Sequence, residues 1–75
     1  MLSAIWAKGQ AVLGYDANVY RKDVYGSWMK WNDYGQTTQY GWEADHIFPV
    51  CRGGLDVLSN LQPLYWENNR KKGDN

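Results

Sequence analysis

Apolar and aromatic positions fall in short runs along this chain, separated by glycine, asparagine and aspartate at Gly9, Gly14, Gly26, Gly35, Gly41, Gly53-Gly54 and Gly73. Such punctuation predicts brief elements joined by tight turns. Ser3 to Lys8 reads as a short helix with Ser3 as its cap. Asn18 to Asp23 and Ser27 to Trp31 carry aromatic and β-branched residues on either side of Val24-Tyr25-Gly26, the pattern of a hairpin. Trp42 to Val50 is the next strand, Arg52 to Asp56 a wide loop, and Val57 to Leu61 the returning strand. Pro63 then stands where a first helical residue belongs and Gly73 just past a last one. Between them Leu64 to Lys72 form a helix, with Glu67 early and Arg70, Lys71 and Lys72 late, matching the helix dipole. The expected fold is a small α+β single domain. Residues 1–41 supply a short helix and β-hairpin, and residues 42–74 a strand, loop, strand and helix.

Composition narrows how such a chain stabilises itself. At 75 residues there is room for one core, and about 60% of the unfolded surface is buried on folding at this size. One cysteine, Cys51, excludes an internal disulfide and a cysteine-rich zinc site; it reads as a small hydrophobe beside the loop. Five Trp, six Tyr and one Phe make an aromatic core the expected substitute. Eight basic residues balance eight acidic ones, which argues against a basic, nonspecific DNA coat. No run approaches a membrane span, and Met1 to Gly14 lacks the charge pattern of a signal peptide. The expectation is a cytoplasmic protein.

The candidate chemistry begins at Asp45-His46. At a strand end or bend two neighbours reach one site, an aspartate to bind a metal and a neutral imidazole to take a proton from water. The plainer reading is an exposed aspartate and a histidine hydrogen-bonded in the core. Asn69, on the final helix, offers a carbonyl oxygen suited to a hard metal. Asn60 precedes the turn into that helix, where its amide ties down the Arg52–Asp56 loop and orients His46, or simply serves as a turn residue. Glu43 lies two residues before Asp45 on the same strand face, as a further ligand, a partner for a basic residue, or a solvated charge.

Taken together these residues form a pattern: Asp45-His46, thirteen residues, Asn60, eight residues, Asn69, then Lys72-Gly73-Asp74. With Trp42-Glu43-Ala44 before it, Ile47-Phe48-Pro49 and Gly53-Gly54 within it, and Leu61-Gln62-Pro63-Leu64 after Asn60, the segment resembles the HNH endonuclease family. The likeness covers residues 42 to 74, nearly half the chain; Tyr20-Arg21-Lys22-Asp23 resembles, more loosely, the lead-in of small phage and bacterial members. The resemblance implies a ββα-metal finger in which Asp45 and Asn69 hold a divalent ion, His46 is the general base and Asn60 orients His46. Many members hold a structural zinc with cysteine pairs, but Tyr65 and Asn68 stand at those positions, so no structural zinc is expected. Asn69 replaces the family's histidine and supplies an oxygen, favouring Mg²⁺ or Mn²⁺, with Zn²⁺ or Ni²⁺ also possible.

The implied activity is metal-dependent hydrolysis of DNA phosphodiester bonds, with His46 activating water, a step typically worth about 10²–10⁴-fold. Arg52, Arg70, Lys71 and Lys72 are the candidate phosphate contacts, Arg21 and Lys22 a further extension, although charges at a helix C-terminus also stabilise the helix by themselves. Trp6, Trp28, Trp31, Trp42 and Trp66 are read as core before base-stacking residues; Tyr20, Tyr25, Tyr34 and Tyr40 fit either role. A homodimer would let one site per chain break both strands. The alternatives are a DNA-binding module without turnover and an accessory subunit of a larger nuclease or phage packaging assembly.

Overall fold

The strand from Trp42 to His46 organises the molecule, because its alternating side chains must satisfy two different neighbours. The computed structural model describes residues 1–73, so Asp74, the last letter of the motif, lies outside the described residues. Helix α1 (Leu2–Trp6) is followed by an irregular segment, strands β1 (Tyr20–Lys22) and β2 (Trp28–Lys30), and a 3-10 turn over Trp31–Asp33. Strand β3 (Trp42–His46), 3-10 turns at Val50–Arg52 and Leu58–Asn60, strand β4 (Leu61–Tyr65) and helix α2 (Trp66–Lys72) complete the order. The fold is α+β, with two separate two-stranded antiparallel sheets and two helices among the described residues. No helix among them is long and apolar enough to cross a membrane.

Several element boundaries differ from the sequence expectation. Helix α1 starts at Leu2, and Ser3 lies within it rather than capping it; its backbone oxygen accepts from Ala7. Strand β3 ends at His46 instead of reaching Val50, because Pro49 and the Val50–Arg52 turn bend the chain away. The returning strand is Leu61–Tyr65, with Leu58–Asn60 in a 3-10 turn before it. Pro63 therefore sits inside β4 opposite Ala44, and the helix begins three residues later. Hydrogen bonds from Ile47 to Asn60 and from Trp66 to Gly41 fix the parity of the ladder. Ala44 and Pro63 then form a non-hydrogen-bonded pair, a position where the missing N–H costs nothing against β3. Gly73, at φ 74°, closes α2 in the left-handed conformation expected of it, its N–H on the Asn69 oxygen.

Trp42 is fully buried, at the centre of a core containing Ile5, Trp6, Met29 and Leu61. Ring centroids lie 4.9 Å from Trp6, 5.8 Å from Trp31 and 4.8 Å from Tyr34, separations at which tilted and edge-on aromatic pairs are favourable. The indole nitrogens are satisfied as well: Trp6 donates to Ala17 O and Trp42 to Trp31 O. The β1–β2 hairpin reaches the second sheet through Asp23, a fully buried carboxylate. One of its oxygens accepts from the backbone of Tyr25 and Ser27; the other accepts from Tyr65 N and Asn68 Nδ2. A hairpin turn and the start of α2 thereby share one anion. Lys8 adds a second link, donating to the backbone oxygens of Leu58 and Leu61.

Candidate active site

Residues two apart on a strand share a face, and residues three apart on a helix share another. Helix α2 lies against β3 so that these two repeats meet. Asn69 Nδ2 donates to Glu43 Oε1 at 2.7 Å, and Arg70 Nη1 reaches the same oxygen at 2.8 Å. One turn on, Lys72 Nζ donates to both carboxylate oxygens of Asp45 at 2.9 Å and to the His46 carbonyl. Gln62 Nε2, opposite Asp45 in the sheet, gives a further hydrogen bond at 2.9 Å. Asp45 is 0% exposed, and such a set of donors offsets the cost of taking a carboxylate out of water.

His46 ends β3, where the chain leaves the sheet. Its Nε2 lies 3.0 Å from Asp56 Oδ1. That contact fixes the plane of the imidazole against the loop bearing Asp56. Asp56 is 84% exposed along its side chain, so this pair orients the ring more than it stabilises the fold. Asn60 builds the loop that carries Asp56. Its Oδ1 accepts from Phe48 N at 2.8 Å, while Nδ2 donates to Phe48 O at 3.0 Å and Leu55 O at 2.8 Å. Both ends of the excursion from 48 to 55 are thus held by one amide, beside the Ile47–Asn60 backbone bond. The glycine pair has a steric reason. A Cβ on Gly54 would lie 1.9 Å from Phe48 O, and Gly53 adopts φ 94° to end the preceding turn.

The structure sets the Asp45 carboxylate and the His46 backbone carbonyl on Lys72 of α2, sends the His46 ring to Asp56 and the Asn69 amide to Glu43, and places Asn60 beneath the loop bearing Asp56. The basic candidates divide. Arg52 and Lys71 are exposed; Arg70 is paired with Glu43, and Lys72 is turned inward onto Asp45, away from any approaching phosphate. Arg21 donates to the backbone oxygens of Ala7, Gly9 and Ala17, so it braces the N-terminal segment. Glu43 is a half-buried paired carboxylate, not a solvated one. Cys51 is exposed, not tucked beside the loop. Trp6 and Trp42 are core, Trp31 is half-buried against them, and Trp66 donates to Thr38 O. Burial and the neighbouring Glu67 carboxylate hold the Tyr65 phenol above its ordinary pKa, which keeps it neutral.

Sequence reasoning passed over Asp56, Gln62 and the inward role of Lys72. No fixed spacing announces them: Asp56 meets His46 only after the loop folds back, and Lys72 meets Asp45 only through helix–sheet packing. The oxygen donors around Lys72 fit a cation. An ammonium already bridges the Asp45 carboxylate and the His46 carbonyl, with Asn69 one turn away on the same helix face. Among the described residues no group of three His, Cys, Asp or Glu side chains converges on one point, so an ion held there would rely on Asp45 and an amide oxygen. No protein-family model matches the chain, and no curated protein or solved structure is significantly similar to it.

Proposed function

We propose that the chain is a metal-dependent HNH-type endonuclease that hydrolyses DNA phosphodiester bonds, with β3, β4 and α2 as its ββα-metal finger. The reading is carried by one observation. The end of a strand bearing Asp45 and His46 packs on a short helix bearing Asn69, beside a braced loop, with a cationic group already seated on Asp45. In this reading Asp45 and Asn69 hold a divalent ion, Mg²⁺ or Mn²⁺ by the oxygen chemistry of the donors. Such an ion, when bound, stabilises negative charge on the phosphate and its leaving oxygen. His46 accepts a proton from water, Asp56 holds the imidazole through Nε2, and Asn60 keeps the loop in register. In this reading the exposed Arg52, Arg70 and Lys71 meet the phosphate backbone.

The test is a supercoiled-plasmid assay with Mg²⁺ or Mn²⁺, beside EDTA and His46→Ala controls. Metal-dependent open circles, lost by at least 100-fold in His46→Ala, support the proposal. Intact plasmid under every divalent ion refutes it. The seat of Lys72 favours a second reading, a DNA-binding module in which the ammonium has replaced the metal for good. That reading expects a gel shift of duplex DNA unchanged by His46→Ala and by EDTA, without cleavage.

A further inference from the structure

Strands β1 and β2 are paired in the register Tyr20 with Lys30, Arg21 with Met29, and Lys22 with Trp28. Alternation sends Met29 into the core, where it is fully buried, and leaves Tyr20, Lys22, Trp28 and Lys30 on the opposite face. On that face each ring sits opposite a lysine. The Lys22 ammonium stands 4.8 Å from the Trp28 ring centroid and that of Lys30 6.0 Å from Tyr20. Two more rings arrive from outside the sheet. Tyr15 lies 4.7 Å from Trp28 and 6.2 Å from Tyr20, and Tyr40 lies 5.9 Å from Tyr20. Together Tyr15, Tyr20, Trp28 and Tyr40 line an open cleft of ≈ 220 Å³. That is below the roughly 300–1,000 Å³ of pockets enclosing drug-sized ligands, and it suits one flat ring system.

We propose that this face binds an unstacked base of a single nucleic-acid strand, with Lys22 and Lys30 contacting the flanking phosphates. Tyr15 belongs to neither strand and is 54% exposed, yet it adds its ring to the face of Trp28. The lysines decide the class of ligand. Aromatic boxes also take quaternary ammonium groups, but two ammonium groups already at the ring faces repel a cationic guest and attract a polyanion. Bases stack on aromatic rings irrespective of sequence, at about 1–3 kcal/mol each. The site uses neither Asp45 nor His46, so it stands apart from the hydrolytic reading.

Binding of fluorescein-labelled dT12 followed by anisotropy in EDTA, where nothing is cleaved, tests the proposal. Trp28→Leu should weaken dT12 binding about 5- to 150-fold and change binding of a 12-base-pair duplex by less than twofold. Lys22→Gln should lower the salt dependence of dT12 binding by a slope of about 0.7. Circular dichroism checks the fold, and Tyr15→Leu, at an exposed position outside the sheet, decides the matter should Trp28→Leu unfold; it should weaken dT12 at least fivefold. Wild type that does not bind dT12, or folded Trp28→Leu and Tyr15→Leu chains that bind it like wild type, would overturn the proposal. So would a trimethyl-lysine peptide whose binding depends on Trp28 while that of dT12 does not. A chain that binds dT12 through Trp28 yet cleaves no plasmid leaves this site standing without the nuclease, and the converse removes this site alone.

Discussion

Lys72→Met removes an ammonium from a carboxylate that is fully buried, and this makes it the most informative single change in the molecule. The methionine keeps the unbranched stem as far as Cε and drops three hydrogen bonds, two to Asp45 and one to the His46 carbonyl. Only Gln62 then remains of the side-chain donors named for Asp45. Removing one partner of a buried ion pair costs about 3–5 kcal/mol, because the other charge stays behind without compensation. A 75-residue domain has roughly 4–11 kcal/mol of stability in total. At about 4–8 °C per kcal/mol for a domain this size, the melting temperature in EDTA should fall by at least 12 °C. On the metal-binding reading, a divalent ion should narrow the gap between the two proteins. In the wild type it must displace Lys72 from Asp45; in Lys72→Met it meets no such competitor. At 100 times its dissociation constant an ion adds about 2.7 kcal/mol, so Mn²⁺ should recover much of the loss in the variant and shift wild type less. The assay is a pair of thermal melts, in EDTA and in MnCl2, with isothermal titration for the affinity. Asp45→Asn combined with Lys72→Met should lose less than the two single changes summed. A variant melting within 4 °C of wild type in EDTA, or equal Mn²⁺ shifts in both proteins, would refute the reasoning.

Asn60→Ala deletes three hydrogen bonds that close the 48–55 loop and should cost about 1–3 kcal/mol. Amide exchange at Phe48 should quicken while exchange in β1 and β2 is unchanged. Gly54→Ala forces a Cβ to within 1.9 Å of Phe48 O, so the loop backbone must move; NMR should show the His46 ring shifts changing, with Asp56 no longer at hydrogen-bonding distance. Asp23→Ala takes the carboxylate acceptor from Tyr25 N, Ser27 N, Tyr65 N and Asn68 Nδ2 and, with hydrogen bonds to charged groups worth about 1.5–3 kcal/mol each, should lower the denaturation free energy by at least 3 kcal/mol in urea. Asp23→Asn keeps one acceptor oxygen and should recover part of that loss.

Local rules made parts of this fold legible in advance. The hairpin about Val24-Tyr25-Gly26, the helix ending at Lys72 before Gly73, and the need for an aromatic core all follow from turn chemistry, capping and composition. Each depends on residues close in sequence or on counts alone. The same rules misjudged Pro63, because a proline suits a helix start and a non-hydrogen-bonded strand position equally well. Pairing with Ala44, from nineteen residues upstream, decided between them.

The candidate site divides along the same line. Asp45, His46, Asn60 and Asn69 stand out in the sequence because their spacing is unusual and their chemistry specific. The partners that hold them do not stand out. Lys72 reads as a helix-end charge or phosphate contact, Asp23 as the end of a strand and Asp56 as part of a loop; packing makes the first a counter-ion to a buried carboxylate, the second a junction and the third an orienting group. The sequence by itself determined where the hairpin turns and where the last helix ends, and which side chains are candidates for chemistry, since torsional preference and functional-group identity are local properties. Tertiary structure alone decided which charges meet, because burial and ion pairing depend on contacts between segments whose separation along the chain holds no information about their distance in space.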